Sequence, residues 1–455
     1  MRATAGAAIL PDDALLALHE RFAHRYPVLL ESMGGDPPLG RYDVLLARPG
    51  VRLTRLADGR LSGPAQHETP GRFLDALDDW WHEERGAVTG RGDAPFAGGW
   101  FLYLGYELAD EIEPALRLRP PRGPRAVAWR MHGAVVRDRG TGRVSIHADD
   151  GETASLRLQV LSDLERVPST SGAVAAPRAM RVEEEPAEIF LGGVEAALEA
   201  IGRGDVYQVN LSRSWRAELP PGMRAVDLYR RLRDANPAPF AGIAQLPGLA
   251  VLSSSPERLL RIDRGVASTR PIAGTRPRGA TLATDASLRE ELRLNEKERA
   301  EHVMLVDLER NDLGRICKGG SVRVDEFMTI ESYATVHHIV SNVRGDLRPD
   351  VTPGQAIAAV FPGGTITGCP KVRCMQLLAE FEGQPREAYT GSMGYLALDG
   401  SLDLNILIRT LTVADGRIEF RTGAGIVADS QPAAELAETR AKAQGLLRAL
   451  GAQSC

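Results

Sequence analysis

The segment YTGSMGYLALDGSLDLNILIRTLTVADGRIEFRTGAGIVADSQPAAELAETRAKAQGLLRAL (residues 389–450) decides the fold class. Three stretches in it, 390–398, 403–412 and 417–421, are rich in apolar residues and separated by short turns, which predicts neighbouring strands of a large antiparallel sheet. Helical periodicity follows from 433 to 450. Strands covered by such a helix predict a layered α+β fold.

The chain upstream alternates between the same two kinds of pattern. Strands are predicted over 44–47, 51–56, 144–147, 249–253 and 259–262, and helices over 14–24, 73–81, 187–202, 225–235 and 290–314. In the last of these helices, the predicted apolar side consists of Ala300, Val303, Met304, Val306 and Leu308. Residues 166–187, rich in Pro, Ser and Glu and without a period, are typical of a linker.

Composition excludes several classes of protein. The 455 residues carry 55 basic and 60 acidic side chains, a net charge of -5, which disfavours a surface that neutralises nucleic-acid phosphates. No run of 18 apolar residues predicts a membrane helix, and the apolar stretch 5–10 is too short for a signal sequence. Four cysteines in a chain of this length do not form a disulfide framework. We therefore expect a reduced, cytoplasmic protein.

Two pairs of glutamates have a spacing that suits metal binding. Glu298 and Glu301 are three residues apart in one predicted helix, as are Glu435 and Glu438 in another, so each pair lies on one helix face. Such a pair is either part of a solvated surface or, if the two helices converge, a set of hard oxygen ligands for Mg²⁺.

Glycines and a histidine pair mark further candidate positions. The stretch 361–371 resembles a phosphate-binding loop but has Cys369 where that motif requires Lys. Gly423 and Gly425 either expose backbone N–H groups to a carboxylate or form a tight turn. In the apolar stretch 335–340, one of His337 and His338 is expected in the core and the other at a site.

Arg409 lies in a nearly continuous apolar stretch that predicts a strand. A buried guanidinium needs an anionic partner. That partner is either a carboxylate of the chain itself or a carboxylate of the substrate.

Taken in order, these segments resemble the chorismate-utilising enzymes. The matching segments are LLESMGGDPPLGRYDVLLARP (29–49), YQVNLSR (207–213), SSSPERLL (253–260), RPIAGTRPRG (270–279), ERAEHVMLVDLERNDLGRIC (298–317), VHHIVS (336–341), FPGGTITGCPKVR (361–373), YTGSMGYL (389–396), LNILIRTL (404–411) and GAGIVADSQPAAELAETRAKA (423–443). The resemblance covers nearly the whole chain.

The resemblance implies an interwoven, two-lobed α/β sandwich of large antiparallel sheets flanked by helices, as in anthranilate synthase component I. It divides the chain into an N-terminal region (1–165), a linker (166–187) and a chorismate-binding catalytic domain (188–452). It also implies Mg²⁺-dependent chemistry on chorismate. Glu301 and Glu438 would bind the ion, with Glu298 and Glu435 supporting it through water.

The resemblance also assigns roles at the substrate. Arg409 and Tyr389 would hold the pyruvyl carboxylate, and the backbone at Gly423 and Gly425 would hold the ring carboxylate. Glu257 would be the general acid or base at the departing hydroxyl. The remaining positions implied to contact the substrate are His338, Thr365 and Lys442.

Position 208 distinguishes subfamilies by their nucleophile. Members that use water resemble one another in a Lys at this position, whereas this chain has Gln208, as do members that use ammonia. The chain shows no Gly-x-Cys-x-Gly setting for a glutaminase nucleophile, so a separate glutamine amidotransferase subunit is expected to supply ammonia.

Two ammonia-using types remain. YQVNL, RYDVLLARP, VHHIVS and PGGTITG resemble aminodeoxychorismate synthase component I, and NPAPFAG (236–242) lacks the Tyr-Met usual in anthranilate synthase component I. We therefore expect 4-amino-4-deoxychorismate as product. The alternative is anthranilate, because Ala273 stands where the first type has a nucleophilic Lys. Ser32 matches the family's tryptophan-binding segment.

Overall fold

The computed structural model describes residues 8–34, 40–64, 71–85, 94–149, 151–167, 180–333 and 336–452. Most of the predicted linker (168–179) and Cys455 lie outside these residues. The division into an N-terminal region and a catalytic domain therefore stays a prediction.

Antiparallel strands dominate the described part of the chain, where they join into one 21-stranded hydrogen-bonded sheet. The strands are β1 (Ala8–Ile9), β2 (Val28–Glu31), β3 (Tyr42–Arg55), β4 (Leu61–Ser62), β5 (Gly99–Leu104), β6 (Ala126–Asp138), β7 (Arg143–Ala148), β8 (Val182–Glu184), β9 (Gln208–Glu218), β10 (Phe240–Leu246), β11 (Leu249–Ser255), β12 (Arg258–Asp263), β13 (Val266–Arg270), β14 (Ile272–Pro277), β15 (Arg323–Ser332), β16 (Val336–Asp346), β17 (Gly368–Cys369), β18 (Ser392–Ala397), β19 (Leu402–Asn405), β20 (Thr410–Ala414) and β21 (Arg417–Ile426).

Helices flank the strands. They are α1 (Ala14–Arg21), α2 (Phe73–Glu84), α3 (Ala109–Ile112), α4 (Thr153–Glu165), α5 (Ala187–Gly202), α6 (Ala225–Ala235), α7 (Leu282–Leu294), α8 (Glu296–Gly314), α9 (Pro353–Val360), α10 (Lys371–Phe381) and α11 (Pro432–Ala449), with short 3-10 helices at Tyr106–Leu108 and Gly364–Ile366. The predicted α+β fold is confirmed. None of the helices in the described ranges is long and apolar enough to cross a membrane.

Strands distant in sequence interleave in the sheet. β2 pairs with β10, and β5 lies between β6 and β18. Residues 209–218 of β9 pair with residues 417–426 of β21. The helix α11 packs on β21, and α8 packs on β14 and β16. The charge of Glu438 on α11 acts on Glu301 of α8, so these two helices approach each other at these residues.

The predicted helix over 290–314 is wrong as a single element. It is two helices, α7 and α8, that meet at Asn295, whose side chain accepts a hydrogen bond from the Glu298 N–H at 3.0 Å and so caps α8. The predicted apolar side is only partly confirmed, because Val306 is buried but Val303 is 49% exposed, whereas His302 and Glu309 are buried. Polar residues of α8 face inward, which hydrophobic periodicity does not reveal.

The predicted strand over 403–412 is likewise interrupted. β19 ends at Asn405 and β20 begins at Thr410, and Arg409 between them has a positive φ of 52°. The chain leaves the sheet over 406–409, where Ile406 N–H donates to Glu257 O and Arg409 O accepts from Ser254 N–H. Ile406 and Leu407 in this break are as buried as the apolar residues of the strands, so hydrophobic patterning does not reveal the break.

Candidate functional site

Gln208 at the start of β9 forms one wall of the site. Its Nε2 donates a hydrogen bond to Glu301 Oε1 of α8 at 2.6 Å. A Cβ at Gly425 would lie 2.5 Å from this Nε2 and 3.4 Å from Glu301 Oε1. Only glycine at position 425 allows β21, Gln208 and Glu301 to approach so closely.

Gly423 and Gly425 lie inside β21, so the tight-turn alternative is wrong. β21 pairs with β20 only over residues 417–419 but with β9 over 417–426. Among the described residues, its second edge therefore has no strand partner beyond Glu419. Successive residues of a strand alternate in direction, so Gly423 and Gly425 direct their N–H groups to the same side.

The two glutamate pairs converge. Burial raises the pKa of Glu301, and the negative charges of Glu298 on its own helix and Glu438 on α11 raise it further. Glu438 accepts a hydrogen bond from Lys442, with 2.6 Å between Oε1 and Nζ, and Lys442 also donates to Gly423 O at 3.0 Å. The carboxylate of Glu438 on α11 therefore lies near enough to Glu301 on α8 for their charges to interact.

This donor set suits Mg²⁺. Mg²⁺ accepts one or two carboxylates and completes its octahedron with water or substrate oxygens. Within the described ranges, no group of three acidic, His or Cys side chains is arranged to hold a metal ion. Glu301 and Glu438 nevertheless match the one or two carboxylates that Mg²⁺ takes from a protein.

Glu257 lies at the end of β11 and is buried. Burial, with the charge of Glu309 added, raises its pKa to about 8, although the Thr365 hydroxyl and the charge of Arg409 act in the opposite direction. Among the buried polar atoms that lack a hydrogen-bond partner in the described part of the chain are Oε1 of Glu257, Oγ1 of Thr365 and Oε1 of Gln208. These three atoms are therefore available to hydrogen-bond a polar ligand at this site.

His338 on β16 faces the site beside Ala273 on β14. Its Nδ1 lies 3.1 Å from Gly274 O and 3.0 Å from Thr275 Oγ1, and burial lowers its pKa to about 4. The ring is therefore neutral at pH 7. His337 is held instead by Ser332 and Asp285, which makes it the structural member of the pair.

Ala273 is 7% exposed and pairs with Ile339 across the two strands. It brings a methyl group, and no amine, to this wall. The pairing of β14 with β16 shifts in register after Ala273, and Gly274 at this bulge has a positive φ of 65°. A Cβ at Gly274 would lie 3.0 Å from Glu298 Oε2, so this bulge brings β14 next to the glutamate pair of α8.

Arg409 and Tyr389 lie at the opposite wall. Among the described residues, no carboxylate lies within ion-pair distance of the Arg409 guanidinium, so the structure shows no ion pair of the chain itself. Burial lowers the pKa of Arg409, and the neighbouring Tyr389, Glu438 and Glu257 raise it. The Tyr389 hydroxyl would be 2.7 Å from a Cβ at Gly423. Arg409 and Gly423 are therefore both neighbours of Tyr389, and a guanidinium without a carboxylate partner in the described part of the chain suits an anion.

Two residues at this wall were missed by the sequence analysis. Asn210 Nδ2 donates to Thr365 O at 3.1 Å, and its Oδ1 would lie 2.8 Å from a Cβ at Gly423. Arg386 stacks over the Tyr389 ring with 5.5 Å between guanidinium carbon and ring centroid. The polar Asn210 between Val209 and Leu211 could have indicated a site residue from the sequence. The role of Arg386 depends on tertiary contacts, which the sequence does not reveal.

Ser32 lies elsewhere. It lines a cavity of about 330 Å³ together with Phe240, Met393 and Asn405, and its Oγ donates to Tyr42 O at 3.0 Å. None of the other residues predicted to bind substrate or metal lines this cavity. The assignment of Ser32 to tryptophan stays a prediction.

Comparison with known proteins agrees with this arrangement. Residues 56–448 match the family described as chorismate binding enzyme. Anthranilate synthase component 1 of Aquifex aeolicus is 48% identical over 97% of this chain and 92% of its own length. Aminodeoxychorismate synthase component 1 of Bacillus subtilis is 38% identical over 96% of this chain and 95% of its own.

A solved structure has the same fold. The crystal structure of anthranilate synthase component I from Streptococcus pneumoniae matches with a TM-score of 0.80 at 30% identity, over 91% of this chain and 93% of that chain. A family match that spans most of the chain, two relatives over nearly their full lengths and this shared fold lead to one conclusion: the chain belongs to the family of chorismate-binding enzymes.

Proposed function

We propose that the protein aminates chorismate in an Mg²⁺-dependent reaction, with ammonia from a partner glutamine amidotransferase, and releases 4-amino-4-deoxychorismate for 4-aminobenzoate and folate synthesis. One observation carries the proposal. Three segments that resemble aminodeoxychorismate synthase component I supply Gln208, His338 and Thr365, and these residues line one site together with Glu257 and Glu301. The Bacillus subtilis relative of that name supports the assignment.

Chorismate carries two carboxylates, and the site offers two places for them. Arg409 and Tyr389 bind the pyruvyl carboxylate, since the guanidinium has no internal ion pair among the described residues. The N–H groups of Gly423 and Gly425 bind the ring carboxylate, with Lys442 beside them. Thr365 and His338 line the ring between these ends.

Glu257 delivers a proton to the departing 4-hydroxyl, which leaves as water. With a pKa of about 8, most of its carboxyl groups are protonated at pH 7, as a general acid requires. His338, with a pKa lowered to about 4, is neutral at pH 7 and adds no positive charge to the site. Overall, one ammonia replaces one hydroxyl, and one water is released.

Glu301 and Glu438 would hold Mg²⁺, with Glu298 and Glu435 supporting them. A bound ion would offset the negative charge of the ring carboxylate and the charge that develops as the hydroxyl leaves. Gln208 orients Glu301 through its amide. An amide is no base, which suits ammonia because ammonia, unlike water, needs no deprotonation before it attacks.

A separate subunit supplies the ammonia. Of the described thiols, Cys317 and Cys374 are buried, and burial raises the pKa of Cys317, Cys369 and Cys374. A thiol with a raised pKa is a poor nucleophile at neutral pH, so these cysteines do not suit glutamine hydrolysis.

Anthranilate synthesis is the second candidate, and Ala273 favours it. The methyl group at this buried position supplies no covalent nucleophile for C2, so ammonia can attack C2 itself. The product then loses pyruvate and becomes anthranilate. The Aquifex aeolicus relative carries that name at 48% identity.

Product analysis distinguishes the two. The purified protein is incubated with chorismate, MgCl₂ and an ammonium salt, and the products are identified by mass and fluorescence. We expect 4-amino-4-deoxychorismate, which an added lyase converts to 4-aminobenzoate. Anthranilate as the main product would overturn the first proposal, and chorismate consumption unaffected by EDTA would overturn the role of Mg²⁺.

A further inference from the structure

Arg386 follows α10 and is almost completely buried, with 3% of its surface exposed. Its Nε donates to Glu382 Oε2 at 2.9 Å and its Nη2 to Glu382 Oε1 at 2.6 Å. This bidentate pair fixes the plane of the guanidinium. The Glu382 carboxylate is itself held by Ser212, whose N–H and Oγ donate to it at 2.9 and 2.8 Å.

The remaining N–H groups of Arg386 join three segments of the chorismate site. Nη1 donates to Ile366 O at 3.1 Å and to Thr390 Oγ1 at 3.3 Å, and Nη2 donates to Asn210 O at 2.7 Å. Ile366 and Thr390 directly follow Thr365 and Tyr389 in the chain. Arg386 therefore binds the neighbours of two residues proposed to contact chorismate.

Two further contacts extend this arrangement. The guanidinium lies against the ring of Tyr389, and on β9 the side chain of Asn210 continues to Thr365 O and to the space beside Gly423. A cation over an aromatic face stabilises the ring orientation. The ring of Tyr389, the turn that contains Thr365 and Ile366, and the Asn210 edge of β9 thus all contact one buried side chain.

We propose that Arg386, fixed by Glu382, is a positioning residue that holds Tyr389, the Thr365 turn and the Asn210 edge of β9 in the geometry that binds chorismate. The proposal rests on the proposed function for the roles of Tyr389 and Thr365. Arg386 touches neither substrate nor metal. Its effect passes through these neighbours.

Arg386→Lys tests the proposal, because an ammonium keeps the charge but cannot make the bidentate pair and the three further bonds at once. The matched control is Arg130→Lys. Arg130 is also buried, pairs with Glu84 and Asp149, donates to the carbonyls of Gly99 and Met131 and stacks on Trp100, but it contacts none of the site residues.

Chorismate affinity is measured by calorimetry with MgCl₂ and no ammonia source. We expect the Kd of Arg386→Lys to rise at least tenfold and that of Arg130→Lys less than twofold, at similar losses in Tm. Equal effects of the two substitutions, or an unchanged Kd in Arg386→Lys, would overturn the proposal. If Arg386→Lys does not fold, Thr390→Val removes one acceptor alone, and an unchanged Kd there overturns it instead.

A double-mutant cycle with Tyr389→Phe separates positioning from general structure. If Arg386 acts through Tyr389, the loss of affinity caused by Tyr389→Phe becomes at least threefold smaller in the Arg386→Lys background. Fully multiplicative losses would contradict the proposal. A wild-type protein that binds chorismate without aminating it would overturn the proposed function but leave this binding test intact.

Discussion

Gln208 and Glu301 are joined by a hydrogen bond of 2.6 Å between Nε2 and Oε1, across β9 and α8. The bond occupies one oxygen of a proposed Mg²⁺ ligand and leaves the other available. The neutral amide of Gln208 also aligns the carboxylate, whereas a lysine at position 208 would add a positive charge. If Glu301 binds Mg²⁺ as proposed, the orientation of its carboxylate is set partly from the neighbouring strand β9.

Removal of a proposed metal ligand should weaken activation by Mg²⁺. We expect Glu301→Gln and Glu438→Gln to raise the Mg²⁺ concentration at half-maximal activity at least tenfold, because the site loses one negative charge and one oxygen ligand. Glu296→Gln is the control, since Glu296 is exposed on the same helix α8. The metal assignment fails if all three variants respond to Mg²⁺ as the wild type does.

Glu257→Gln should lower kcat by about 100- to 10,000-fold, the usual contribution of a general acid. The pKa of Glu257 is raised to about 8, so its carboxyl group is protonated below pH 8 and loses its proton as the pH rises above 8. The wild-type rate should therefore fall on the alkaline side near pH 8. An alkaline limb that persists unchanged in the Gln variant would show that another group produces it.

Gly425→Ala should lower activity by displacing Gln208. The added Cβ would meet Gln208 Nε2 at 2.5 Å, so the amide must turn away from Glu301. We expect at least a tenfold loss in kcat/KM at nearly unchanged Tm. Gly192→Ala in α5, where a Cβ meets nothing within 4 Å, should leave activity unchanged and stabilise the helix by about 0.5–1 kcal/mol. Equal activity of both variants would contradict the close contact.

Ala273→Lys should change the product ratio. An amine restored at this position of β14 can attack C2, and the ratio of 4-amino-4-deoxychorismate to anthranilate should then increase. Ala273→Met, of similar length and without an amine, is the control. If both substitutions give the wild-type ratio, the residue at 273 does not decide the product.

Tryptophan should bind at the cavity that contains Ser32. We expect tryptophan to raise the Tm of the wild type, because a ligand that binds only the folded state stabilises it. Ser32→Val, which removes the hydroxyl and narrows the cavity of about 330 Å³, should abolish the shift, whereas Ser62→Val on β4 should not. A shift that survives in Ser32→Val would place the ligand elsewhere.

The sequence predicts the fold class, most element positions and the residue types at the site. Spacing puts Glu301 beside Glu298 on one helix face, but only tertiary structure brings Glu438 opposite to them. Hydrophobic periodicity fails where a segment is buried on all sides and where the buried residues are polar. It runs through the cap at Asn295, and it assigns Arg409 to a strand although the chain leaves the sheet there.

The surroundings of Tyr389 also could not be predicted from local sequence patterns. Arg386 contacts residues 366, 390 and 210, which no local pattern connects. The effect of a buried ion pair on stability depends on the groups around it. One of the groups around Arg386 is Asn210, which lies more than 150 residues away in the sequence. Such positions become visible only in the folded protein.

The interleaved sheet has a consequence for synthesis on the ribosome. β5 emerges early, yet the strand that completes its second edge, β18, begins at Ser392. Contacts of such high sequence separation form late and slowly. The edge of β5 that pairs with β18 therefore stays unpaired until residues 392–397 have been made, and chaperone demand should be greatest during this interval.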